Sequence, residues 1–111
     1  MVSNRWSKHY CLLAFTSVNA VGRNYIAALD ANTGTLLSWN PNANNTVYTL
    51  AVTGSTVYCG GAFTLIGGVS RIRIAGIDIN TGSVTSWNPS ANNIVYTLAL
   101  SLESGRIYVG G

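Results

Sequence analysis

Short apolar runs separated by Gly, Asn, Thr and Ser alternate along this chain from end to end. The run Thr46-Val-Tyr-Thr-Leu-Ala-Val52 is apolar on both alternating faces, which predicts an inner strand covered on both sides. Thr56-Val-Tyr-Cys59 predicts a second strand after the Thr53-Gly54-Ser55 turn. The stretch from Gly60 to Ser70 reads as a longer connection, leading to a third strand at Ile72-Arg-Ile-Ala-Gly-Ile-Asp78. An Asp-x-Asn-Thr-Gly turn then gives an outer strand, Ser83-Val-Thr-Ser-Trp87. No window has a helical period strong enough to compete, so the pattern predicts an all-β chain.

The pattern also returns. Residues Asn24 to Leu50, with Asp30, Gly34 and Trp39, recur as Ile72 to Leu98, with Asp78, Gly82 and Trp87, at an offset of 48 residues. Upstream, Tyr10-Cys11 matches Tyr58-Cys59, and Ala14-Phe15-Thr16 matches Ala62-Phe63-Thr64. Downstream, Val57-Tyr58-Cys59-Gly60-Gly61 recurs as Ile107-Tyr108-Val109-Gly110-Gly111, with two extra residues in the intervening turn, where insertions are tolerated. A period of this length carrying short strands marks a propeller blade. The expected organisation is a non-repeat segment at 1–9, repeats at 10–57 and 58–107, and the start of a third repeat at 108–111. Each repeat is expected to be a four-stranded antiparallel blade. Two blades do not close a ring of four to eight, so the chain reads as a propeller fragment. Its expected partners are the missing blades of the same protein, or further copies joined through exposed strand edges.

Composition narrows the function. Only 8% of the 111 residues are charged against 48% hydrophobic, which suits a turn-rich β protein rather than a disordered one. The net charge of +3 comes from scattered residues, without the clustering of a nucleic-acid footprint. Cys11 and Cys59 occupy equivalent repeat positions. Neighbouring sheets lie about 10 Å apart, beyond the reach of a disulfide, so both are expected as buried free thiols. With a single His9 and no Cys-x-x-Cys, no metal or cofactor site is expected. Arg5 and Lys8 before Cys11-Leu-Leu-Ala-Phe15 allow a signal-peptide reading of residues 1–20, but the same residues align with the second repeat. No stretch is long and apolar enough for a transmembrane helix.

The remaining motifs read as architecture. Asp30 and Asp78 are placed to accept backbone N–H bonds at a turn entry, with Gly34 and Gly82 supplying the positive φ that ends a hairpin. One carboxylate per turn is thin for calcium. Gly60-Gly61 and Gly67-Gly68 precede no helix, so they read as tight turns or close backbone approach rather than a phosphate loop. Phe15 and Phe63 are repeat positions of the same kind. Pro41 and Pro89 end strand pairing. Trp39 and Trp87 are the candidate ligand-facing residues, since an exposed indole stacks on a sugar ring. The competing reading packs each against the next blade, with its N–H on a backbone carbonyl. Asn44-Asn45-Thr46 is a formal glycosylation sequon. No nucleophile elbow or carboxylate pair suggests catalysis.

The run Tyr58-Cys-Gly-Gly-Ala-Phe-Thr-Leu-Ile-Gly-Gly-Val-Ser-Arg71, with Ile74-Ala75, resembles the delta-60 β-propeller repeats of bacterial secreted and surface proteins. The resemblance implies an extracellular or cell-surface propeller without catalytic activity, in a binding or structural role. The segment Ala28 to Gly34 with Trp39 is similar to the tryptophan-docking repeats of quinoprotein dehydrogenases, although Trp39 and Trp87 each stand one residue further from the Gly. Those enzymes hold pyrroloquinoline quinone and a metal with residues that have no match here. The alternatives are therefore part of a quinoprotein-like or glycan-processing enzyme, or a carbohydrate-binding module.

Overall fold

The structure is a computed structural model. It describes backbone and side chains for residues 25–28, 33, 35–101 and 105–111, and the backbone alone for 2–5, 8–12, 17–18, 21–22 and 29–30. Among the described residues the fold is all-β with antiparallel pairing and no helix, hence no helix long and apolar enough to cross a membrane. The strands are β1 (Val2–Arg5), β2 (Lys8–Leu12), β3 (Ser17–Val18), β4 (Val21–Gly22), β5 (Ile26–Asp30) and β6 (Val47–Thr53). They continue with β7 (Thr56–Gly61), β8 (Leu65–Ile66), β9 (Val69–Ser70), β10 (Ile74–Asp78), β11 (Thr97–Ser101) and β12 (Arg106–Gly110).

Three sheets follow one another along the chain. They are β1-β2-β5, β6-β7-β10 in that hydrogen-bonded order, and the pair β11-β12, while the hairpins β3-β4 and β8-β9 stand apart. Strand pairing recurs at the sequence offset. Lys8↔Asp30 through Leu12↔Ile26 in the first sheet corresponds to Thr56↔Asp78 through Gly60↔Ile74 in the second. The β1-β2 pairing, Val2↔Cys11 to Arg5↔Lys8, corresponds to Leu50↔Cys59 to Thr53↔Thr56. Pairing therefore extends back to Val2, into the segment where sequence similarity has faded. The left-handed non-glycine residues fall in equivalent pairs as well, Tyr25 (φ 69°) with Arg73 (φ 68°) and Asn42 (φ 59°) with Ser90 (φ 62°). The described sheets do not close into a ring.

Two expected details change. The outer strand Ser83–Trp87 is reduced to a single bridge, Ile77↔Val84. The Thr85 N–H reaches the Gly76 carbonyl at 2.8 Å, but the Thr85 carbonyl accepts from Arg71 Nη2 at 2.8 Å, where a continuing ladder would present the Gly76 N–H. The sheet is thus three strands and a bridge instead of four. The connection Gly60–Ser70 is also more structured than its composition suggests. Gly60 and Gly61 extend β7, and Gly67 (φ 59°) with Gly68 (φ 74°) forms the two-residue turn between β8 and β9. Positive φ at both central positions is the type I′ geometry that matches strand twist.

The middle sheet is covered on both faces, as the apolar pattern of β6 predicts. Leu50, Val57, Cys59, Ala75 and Ile77 belong to one core with Ile26 and Ala28 of the first sheet, Trp39, Phe63 and Ile66. On the opposite face, Ile74, Ala51 and Tyr58 pack with Val95, Leu98 and Ile107 around β11-β12. Phe63 and Ile66 are fully buried. At about 25 cal/mol per Å² of apolar surface, each such side chain contributes roughly 1.5–3 kcal/mol before conformational entropy is charged against it. The sheets approach one another through their first strands, with β6 lying beside both β1 and β11.

Candidate functional site

The turn after β10 forms as its residues require. Asp78 Oδ1 accepts from the N–H groups of Asn80 at 2.8 Å and Thr81 at 2.9 Å, and Gly82 (φ 76°) donates to the Asp78 carbonyl at 3.0 Å. These donors favour the charged carboxylate, and they hold its pKa below the ordinary value. With one oxygen committed to the backbone, the carboxylate locks the hairpin turn. Among the described residues no three of His, Cys, Asp and Glu come together as metal ligands. The Asp30 side chain, Gly34, Phe15 and the Cys11 side chain lie outside the described residues.

Trp39 is where packing wins over ligand binding. It is 6% exposed, and its indole N–H donates to the Asp78 carbonyl at 3.0 Å, so one repeat's indole is fixed to the next repeat's β10. Buried to this degree, the ring has no face left for a sugar. Trp87 is half-buried, edge-on to Tyr58 with centroids 5.0 Å apart and planes at 76°. Cys59 is a buried free thiol that donates to the Ala75 carbonyl at 3.7 Å, and desolvation pushes its pKa up to about 12. A thiol in that state is no nucleophile at neutral pH.

Several polar side chains that invite a functional reading are committed to the backbone. Arg71 donates to the carbonyls of Ser70 and Thr85, and Arg73 to that of Ala91. The sequon residue Asn44 accepts the N–H groups of Thr64 and Leu65 and donates to Thr64 Oγ1 at 3.0 Å, so it pins the connection to β8. A cleft of about 150 Å³ lies between the middle sheet and β11-β12, lined by Thr53, Tyr58, Leu100 and Arg106 among others. Its described lining carries the hydroxyls of Thr53, Tyr58 and Ser101 and no carboxylate.

The exposed large apolar side chains are Tyr48, Tyr96 and Tyr108 with Leu65, Val69 and Val109, among the described residues. Tyr48 (40% exposed) and Tyr96 (54%) are repeat equivalents whose rings meet at 5.0 Å and 52°. Tyr48 sits at the bulge between Val47 and Thr49, and the extra residue turns its ring out of the sheet. The sequence conceals this, because simple alternation would give Tyr48 an ordinary inward or outward place. Val-Tyr-Thr-Leu recurring at Val95–Leu98 is the signal that could have singled the pair out. No protein-family model, curated protein or solved structure matches this chain.

Proposed function

We propose that this chain is a non-catalytic β-propeller module of a bacterial cell surface or extracellular space, with a binding or structural role. The observation that carries the reading is the recurrence of strand pairing at the repeat offset, with each sheet's second face packed on the first face of the next. The close approach of β1, β6 and β11 supports sheets fanning from a common side, as blades do. The commitment of Asp78, Arg71, Arg73 and Cys59 to internal contacts favours a scaffold over an enzyme. Carbohydrate binding is the second reading, and the exposed Tyr48–Tyr96 pair favours it more than the indoles do.

The test has two arms. Incubation with pyrroloquinoline quinone, calcium and an electron-accepting dye is expected to give no substrate-dependent dye reduction, and dye reduction would overturn the non-catalytic reading. Affinity electrophoresis through gels containing soluble polysaccharides asks the second question. Retardation that disappears in a Tyr48→Ala, Tyr96→Ala double variant assigns sugar binding, whereas unretarded migration throughout assigns the structural role.

A further inference from the structure

Tyr48 and Tyr96 stand one repeat apart in the chain and meet in space. Their ring centroids lie 5.0 Å apart with the planes inclined at 52°. Both rings are open to solvent, at 40% and 54% exposure. The backbone beside each ring is anchored at one place. Val47 pairs with Gly61, and the Val95 N–H donates to the Gly61 carbonyl at 3.1 Å. Val47 and Val95 are themselves buried. The two rings are therefore held as neighbours from below, while the exposed side chains keep their freedom to rotate. The contact joins a residue of the middle sheet to one leading into β11, so it is complete within the described chain.

Packing alone does not require such exposure. Tyr58 and Trp87 also form a ring pair, but both are half-buried, stand nearly edge-on at 76° and pack with the second core. The Tyr48–Tyr96 pair instead has a tilt close to that of two directly bonded aryl rings, at a slightly greater separation. Two accessible phenols in that relation are set up for oxidative coupling. Their proximity makes the joining of one ring to the other a step within the molecule, ahead of encounters between molecules.

We propose that Tyr48 and Tyr96 are a site of oxidative cross-linking to dityrosine, which ties the middle sheet to the sheet that follows. The oxidant is hydrogen peroxide acting through a haem peroxidase. Each phenol gives up one electron and its hydroxyl proton, leaving two tyrosyl radicals. These join ring carbon to ring carbon, ortho to the oxygens, and each displaced ring hydrogen moves as a proton to its phenolic oxygen. Two electrons and two protons leave in all. The peroxide takes them up as its O–O bond breaks, giving two waters. The new bond closes a loop one repeat long, which restricts the unfolded chain as a disulfide does. The proposal does not depend on what the module binds.

Treatment of the dilute 111-residue chain with peroxidase and hydrogen peroxide tests it. The expected product has the blue fluorescence of dityrosine, still runs as the 11.7 kDa monomer and is lighter by two hydrogens. Digestion and tandem mass spectrometry should find Tyr48 joined to Tyr96. Tyr48→Phe and Tyr96→Phe keep each ring and should each abolish the monomeric product. No fluorescence, or fluorescence confined to covalent dimers, overturns the proposal. A monomeric cross-link that joins other tyrosines overturns it too. The urea midpoint of the cross-linked wild type should rise, and an unchanged midpoint would show that the bond does not tie the sheets. The unmodified chain in concentrated urea guards against variants that fail to fold. Its yield of monomeric product should fall several-fold there, and an undiminished yield overturns the role of the folded contact.

Discussion

Asp78 carries the clearest pH-dependent contribution among the described residues. Two backbone N–H groups stabilise its ionised form, so its folded pKa is depressed. The stability it contributes is complete above the ordinary Asp value, and declines as pH falls through that value toward the lower folded one. Asp78→Asn keeps an acceptor oxygen for the turn but removes the titration. The urea midpoint of the wild type is therefore expected to fall more steeply than that of Asp78→Asn between about pH 5 and pH 2. Parallel pH profiles would show that the carboxylate charge is immaterial. This turn was legible in the sequence because Asp, Asn, Thr and Gly act on their own neighbours. Trp39 was legible only as a pair of alternatives. Its acceptor lies 39 residues away, and only tertiary packing brings it to the indole.

At the scale of the element, β7 shows how strand and interface constrain each other. Gly60 looked like part of a loop, yet it lies within β7 and leaves room for Val95 and the Thr49 methyl. Gly60→Ala forces a methyl group into that contact, and the expected loss is about 1–3 kcal/mol, the range for overpacking a filled core. Chemical denaturation measures it, and an unchanged midpoint would mean that the interface is loose at this point. The four predicted strands per repeat became three and a bridge for a related reason. Strand propensity marked Ser83–Trp87, but propensity holds no information about Arg71 taking the Thr85 carbonyl. The bulge that exposes Tyr48 was equally hidden, because it arises from pairing with β7 and not from local preference.

For the whole molecule, the middle sheet has side-chain cores on both faces, and that cover should govern its local stability. In dilute solution, amide exchange is expected to be slowest in β6, β7 and β10, and faster in β11-β12, where one face and one edge are open. Equal protection throughout would show that the chain opens only as a single unit.

The sequence by itself determined the all-β class, the repeat and its offset, the locking turn at Asp78 and the inner-strand character of β6. Those features follow from periodicity and from side chains acting on near neighbours, so they can be read without coordinates. Only the tertiary structure decided that Trp39 is an inter-repeat tie, that Val95 packs over Gly60 and that Tyr48 and Tyr96 face outward together. Each of these depends on which distant strands come to lie side by side, and a pattern of hydrophobic and polar positions leaves that pairing open.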